Sequence, residues 1–319
     1  MTNEPTWSGV LHAGIHGFLR SPVLPPRADA LRAASATHAI YGVPFDSTTL
    51  YRTGSMHGPK AVRDASVQFV SYHYDYDVDL AEHVRLVDCG DAAAVPGNAA
   101  RTLDIAQQDL AKIHAAGAMP IVLGGEHTVT IAGTRALAAH LPGPLGLVVF
   151  DTHLDTATDI GGEELTYCAP VSRTLDLEAY APANTALVGI HGPANPREER
   201  EWAERRGIHL YSVAEIERRG IVDVTRDAMA AAWRGTKGVY VSVDIDVLDA
   251  AYNPGGAPEP GGLTSRELFA ALRVVAEAGY SAFDVVEIAP QYDPAGITAI
   301  TACRVILDLL AAAIAVQDG

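Results

Sequence analysis

The sequence predicts one α/β domain with a parallel central sheet and helices on both faces. Three observations lead there. Eight short apolar, β-branched runs fall at 38–41, 84–89, 120–123, 146–150, 186–190, 208–211, 238–243 and 283–288. Longer helical patterns lie between most of them, and strands alternating with helices need the crossovers of a parallel sheet. No repeat or low-complexity linker interrupts the 319 residues, which are enough for one large core.

Taken in order, residues 1–35 are rich in Gly and Pro and read as an irregular N-terminal arm, ahead of a single catalytic domain over 36–319. Helices are expected at 60–71, 101–115, 129–140, 196–206, 213–219, 223–234, 265–278 and 298–316. Thr264 stands three residues before Glu267, the spacing of a capping box. Asn195 before Pro196 reads as an N-cap followed by proline at the first helical position. The apolar run 305–316 is broken by Asp308 and is too short to span a bilayer, so a buried helix is expected. The alternation in Tyr72-His73-Tyr74-Asp75-Tyr76-Asp77 marks an exposed strand or a contact between copies.

Composition excludes several classes. With 48% hydrophobic and 19% charged residues the chain should fold rather than stay disordered. A net charge of −16 leaves no basic stripe for a nucleic acid. Residues 1–10 lack the basic and apolar segments of a signal peptide, and no membrane partner is expected. Cys89, Cys168 and Cys303 are odd in number and scattered, which fits a reducing cytoplasm.

The informative residues follow the strands. Gly124-Gly125-Glu126-His127 follows the third, Asp151-Thr152-His153-Leu154-Asp155 the fourth, His191 the fifth, and Asp244-Ile245-Asp246 with Asp249 the seventh; Glu287 closes the eighth. Open parallel sheets bind ligands beyond these carboxyl ends. In an extended segment residues two apart face the same way, so Asp151, His153 and Asp155 converge, and Asp244 and Asp246 repeat the pattern. Carboxylates gathered without a counterion repel and cost several kcal/mol each to desolvate. Divalent metal is the simplest counterion, and a carboxylate-rich set with two imidazoles suits Mn²⁺, with Ni²⁺, Co²⁺ or Zn²⁺ open. Two ions with shared carboxylates would acidify a water between them.

At these residues the chain resembles the ureohydrolase family of arginases, agmatinases and guanidinobutyrases. Three signatures carry the resemblance: Gly124-Gly125-Glu126-His127; Asp151, His153 and Asp155; and Ser242, Asp244, Asp246 and Asp249. Gly42-Val43-Pro44-Phe45-Asp46, then Arg52, Gly54, Gly58 and Pro59, resemble the agmatinase-type N-terminal segment, and 255–262 also fits. The resemblance implies a three-layer α/β/α sandwich with a mostly parallel central sheet, in trimers or hexamers. It implies one metal on His127 and Asp155, another on His153 and Asp246, and Asp151 and Asp244 bridging. Asp155 would also move a proton, Glu287 would pair with the guanidinium, and His191 and Asp159 would touch the substrate. The implied reaction cleaves a linear guanidino compound, such as agmatine or 4-guanidinobutyrate, to urea and an amine.

One departure bears on catalysis. Agmatinase-like members place a proton-shuttling histidine where this chain has Tyr167, and a phenol with a pKa near ~10 is a poor shuttle at neutral pH. Tyr167 then acts by hydrogen bonding, or another group moves the proton, or the leaving group is a better one. The loop 155–164 lacks the asparagine and serine that arginases use for an amino-acid head. A formiminoglutamate-type amidine hydrolase and a non-catalytic metal-binding partner subunit remain as alternatives. Glu287 could instead form a buried structural ion pair, and 255–262 could be a surface turn.

Overall fold

The computed structural model describes residues 16–257 and 259–318. Residues 1–15 of the expected arm, and Pro258 of the glycine-rich run, lie outside the described residues. The central sheet has eight strands: β1 (His38–Val43), β2 (Leu86–Asp91), β3 (Met119–Gly124), β4 (Leu145–Phe150), β5 (Tyr180–Ile190), β6 (His209–Ser212), β7 (Val239–Asp244) and β8 (Ala282–Val286). Their order is β2-β1-β3-β8-β7-β4-β5-β6, and every neighbouring pair is parallel. Each expected run is a strand. β5 starts six residues early because its register against β4 slips between Leu145 and Leu147, which lets the irregular 180–185 segment join.

Helices cover both faces. Gly58–Ser66, Ile221–Ala232, Ser265–Ala278 and Ile297–Asp318 form one layer; Ala28–Ala33, Ala99–Ala115, Thr130–His140 and Pro170–Leu175 form the other. Along β1, Ile40 faces the first layer while Ala39, Tyr41 and Val43 face the second. Both sides of such a strand are buried, so it reads as an unbroken apolar run. This is the three-layer sandwich.

Three local features refine or alter the expectation. Residues 16–35, irregular apart from the short helices Phe18–Arg20 and Ala28–Ala33, dock on the domain: Phe18 is fully buried, its amide donates to Asp88 Oδ2 at 2.8 Å, and Val23 bridges Asp88. Asn195 caps nothing. Its Oδ1 accepts from Leu154 N at 2.9 Å and its amide donates to Thr152 O and His191 O, so it ties together the loops after β4 and β5. The C-terminal helix Ile297–Asp318 is longer than expected and, by length and composition, could cross a membrane. It lies instead largely buried against Ser265–Ala278 and Gly58–Ser66. The residue that breaks its apolar run, Asp308, is buried with partners, His73 Nε2 at 3.0 Å and Arg304 Nε at 2.9 Å. His73 belongs to a small antiparallel pair, Tyr72–His73 with Val78–Asp79, whose tip exposes Tyr74. Thr264 and Glu267 form the expected capping box.

Candidate metal centre

The four central strands β3, β8, β7 and β4 are neighbours, so their carboxyl ends open on one crevice. β3 delivers His127 through Gly125, where an added Cβ would sit 2.0 Å from Phe45 O; only glycine allows this close approach. β4 runs into Asp151, His153 and Asp155, β7 into Asp244 and Asp246, and β8 into Glu287. Asp155 (φ 49°) and Glu287 (φ 64°) hold left-handed backbone, which costs a non-glycine residue free energy and persists only where packing imposes it.

Around His127 Nδ1 stand Asp155 Oδ2 at 2.8 Å, Asp151 Oδ2 at 3.0 Å and Asp244 Oδ2 at 3.2 Å. Around His153 Nδ1 stand Asp246 Oδ2 at 3.2 Å and Asp151 Oδ1 at 3.5 Å. Two groups result, His127 with Asp151 and Asp244, and His153 with Asp151 and Asp246, the donor atoms in each lying within 4.8 Å of one another. Asp151 serves both, one oxygen turned to each histidine.

Behind His127, Nε2 lies 3.0 Å from Ser242 Oγ, which donates to Asp284 Oδ1 at 2.6 Å. Nε2 is therefore the donor, which leaves Nδ1 as a lone pair facing three carboxylates. Both Nδ1 and Asp151 Oδ2 are buried, with no hydrogen bond among the described residues. Burial opposes charge on His127, but Asp151, Asp155 and Asp244 outweigh it and push its basicity well up. Burial, then the charge of Asp151, pushes Asp155 up to about 7, and burial with neighbouring aspartates raises Asp244 well above the carboxylate range. Such a set needs cations, either protons or metal, and two orphaned donor atoms facing one point fit metal.

The cluster floors a cavity of about 310 Å³. Glu287 lines it; its Oε1 accepts from His127 N at 2.7 Å, and burial, then the charge of Glu126, raises its carboxyl. Tyr167 also lines it, with a phenol pushed up by burial. Cys168 beside it has a thiol pushed up to about 12 by burial, unsuited to a nucleophile. Gly256 and Ala257 reach the wall, so the glycine-rich run borders the cavity. His191 and Asp159 do not line it. The His191 ring donates to Gly189 O at 2.9 Å, and the Asp159 carboxylate accepts from Gly162 N at 2.9 Å. Asp249 closes its own loop by accepting from Ala251 N and Gly261 N.

Four residues have roles that the sequence reading missed. Asp284 supports Ser242 and receives Thr130 and Tyr240, each at 2.8 Å. Its strand neighbours Phe283 and Val285 pack into the first helical layer, and the partners of Asp284 come into view only once Thr130 and Tyr240 are placed against the other face. Glu126 was visible within a motif, but not as the acceptor of Thr48, Thr49 and Thr128. Glu199, on the helix Arg197–Arg206, holds Thr156 and lines the cavity, as does Arg52. Their meeting is long-range, and no local signal announces it.

Fold and cluster together define an α/β protein with a carboxylate-rich metal centre, and its relatives make it a metal-dependent amidinohydrolase. The chain belongs to the arginase family, whose model matches residues 36–312. It is 34% identical over 275 residues to a proclavaminate amidinohydrolase of Streptomyces clavuligerus, covering 85% of this chain and 86% of that one. The structure of the same enzyme superposes with a TM-score of 0.88 at 32% identity, covering 96% of this chain and 99% of that one. An agmatinase of Bacillus subtilis (strain 168) is 34% identical over 85% of this chain and 90% of its own. A guanidinopropionase of Pseudomonas aeruginosa is 33% identical over 93% and 91%.

Proposed function

We propose that this protein hydrolyses a linear guanidino compound to urea and an amine on two divalent ions, Mn²⁺ being the best match to the donor set. The observation that carries the reading is the pair of His/Asp groups sharing Asp151 on the floor of a cavity that Glu287 also lines. Relatives named agmatinase and guanidinopropionase support it. His127, Asp151, Asp155 and Asp244 would hold one ion; Asp151, His153, Asp244 and Asp246 the other. Bound there, two Lewis-acidic ions supply an activated water at neutral pH.

The chain's own residues do the rest. Glu287 orients the guanidinium, its left-handed backbone and the His127 amide fixing its carboxylate over the floor. Asp155, which lines the cavity beside the other ligands, takes and returns the proton that the leaving amine needs. Tyr167 contributes a hydrogen bond rather than a proton, since burial keeps its phenol un-ionised and raises its pKa further above neutral pH. The setting is cytoplasmic and the assembly a homo-oligomer, a trimer or hexamer.

The test is urea release from protein loaded in turn with Mn²⁺, Ni²⁺, Co²⁺ or Zn²⁺ across a panel of guanidino compounds. Urea that depends on loaded metal is expected. Two ions per chain with no urea from any compound would overturn the reading in favour of a non-catalytic subunit, and formamide from an amidine would redirect it to the formiminoglutamate type.

A further inference from the structure

The cavity changes character outward from its floor. Its volume of about 310 Å³ falls at the lower end of the ~300–1,000 Å³ of pockets that enclose much larger ligands than a guanidinium. Beside the metal-facing residues the lining is largely apolar, with Tyr51, Leu154, Ile160, Ala194, Pro196 and Ala257 next to the polar Thr49, Tyr167 and Asn195. Of the charged lining residues, Asp155, Asp244, Asp246 and Glu287 belong with His153 to the floor. That leaves Arg52 and Glu199, of opposite sign. The Glu199 carboxylate is taken by Thr156 and the Arg52 guanidinium by Pro254 O and the Tyr292 ring, so neither is a free partner for a second charge on the substrate.

At the rim, Leu50 is 67% and Tyr51 78% exposed, side by side. Large apolar side chains left in water next to a cavity are informative where isolated ones are not. The loop that carries them is braced on both sides. Thr48 and Thr49 bond Glu126, Thr48 Oγ1 accepts from Tyr167 N at 3.0 Å, and Asp46 Oδ2 accepts from Gly54 N at 2.6 Å. Arg52, in left-handed backbone (φ 57°), donates to Pro254 O at 3.0 Å and stacks on Tyr292, its guanidinium carbon 4.2 Å from the ring centre. Exposure of Leu50 and Tyr51 is thus a property of a fixed shelf that continues the apolar wall outward.

We propose that the natural substrate carries its guanidine on an uncharged apolar tail, long enough to leave the cavity and lie on the shelf of Leu50 and Tyr51. The substrate class is then the terminal guanidine of an apolar chain, not the short dication agmatine. This rests on the guanidino-hydrolase reading above. The occupant is the tail because the shelf is continuous with the cavity wall; a second copy of this chain is the competing occupant.

The experiment uses Mn²⁺-loaded full-length protein and n-alkylguanidines from ethyl to octyl, with agmatine alongside. Urea release gives kcat/KM, and calorimetry gives equilibrium binding of the same compounds. Both should rise beyond butyl by about twofold to fourfold per methylene, as expected for partial to full burial of each CH₂. Octylguanidine should surpass agmatine. A Leu50→Ser, Tyr51→Ser double variant should flatten that slope; both side chains are largely exposed, and an unchanged Tm verifies folding. A response that levels off at butyl, a preference for agmatine, or an unaltered slope in the variant would overturn the proposal. So would dissociation of an oligomer by the double variant, which would give the shelf to a second copy. Chain-length-dependent binding without urea would keep the shelf and sink the hydrolase reading; urea without chain-length dependence would do the reverse.

Discussion

His127 and His153 bring the same side chain to the same cluster under contrasting conditions. The His127 side chain is 1% exposed, and a relay of Ser242 and Asp284, itself receiving Thr130 and Tyr240, holds its ring from behind. The His153 side chain is 25% exposed, its ring meets only Asp151 and Asp246, and no hydrogen bond supports it from behind among the described residues. Partners that fix a ligand's tautomer and orientation raise its affinity for metal. The first half of the centre is therefore assembled by the fold, whereas the second is completed by what binds there. The two ions should differ in affinity and in exchange rate.

The strongest challenge to this asymmetry is Asp151→Ala, because Asp151 faces both histidines. Metal analysis should show both ions lost and urea formation abolished; retention of one tightly held ion would mean that the halves are independent. Next come His127→Ala and His153→Ala compared directly. The first should strip its ion and lower Tm, since it leaves buried carboxylates uncompensated. The second should lose one ion only, with activity partly recovered by excess metal. Equal outcomes would erase the distinction. Asp284→Asn is gentler: titration should show affinity at one site falling by about 10–100-fold with the other unmoved. Glu287→Gln should lower kcat/KM while both ions stay, because the carboxylate faces the cavity and takes only the His127 amide. The smallest effect is expected from Tyr167→Phe, which should retain both ions and lose less than about tenfold in kcat, the weight of one or two hydrogen bonds. Loss of metal would show that Tyr167 supports the cluster.

The same contrast governs what was legible in the sequence. The strands were readable because a sheet buried on both faces leaves unbroken apolar runs, as in Leu145–Phe150. Asp151, His153 and Asp155 were readable because ligand spacing of two is local to one segment. Asn195 looked like a helix cap for an equally local reason, but Leu154, Thr152 and His191 claimed its side chain once the loops after β4 and β5 met. Asp284 reaches Ser242 across two paired strands, and Glu199 and Arg52 approach the cavity from segments far apart in the chain. Support and specificity depend on such distant contacts, and a pattern read along one segment cannot register them. Glu287 was visible as a carboxylate at a strand end, and its guanidinium-pairing role came from the family resemblance; its strained backbone is a property of the folded chain.

Glu126 shows how such a site can change over evolutionary time. It neighbours His127 in the chain, yet its carboxylate is occupied by Thr48, Thr49 and Thr128, so it works as a peg for the loop that ends in Leu50 and Tyr51. The peg is buried and answers to backbone and hydroxyl groups alone, whereas the residues it displays at the rim are largely exposed. A lineage can therefore redraw the rim by point mutation at 50 and 51 while the peg keeps the loop in place, and the reactive floor need not be rebuilt each time a new tail is recruited.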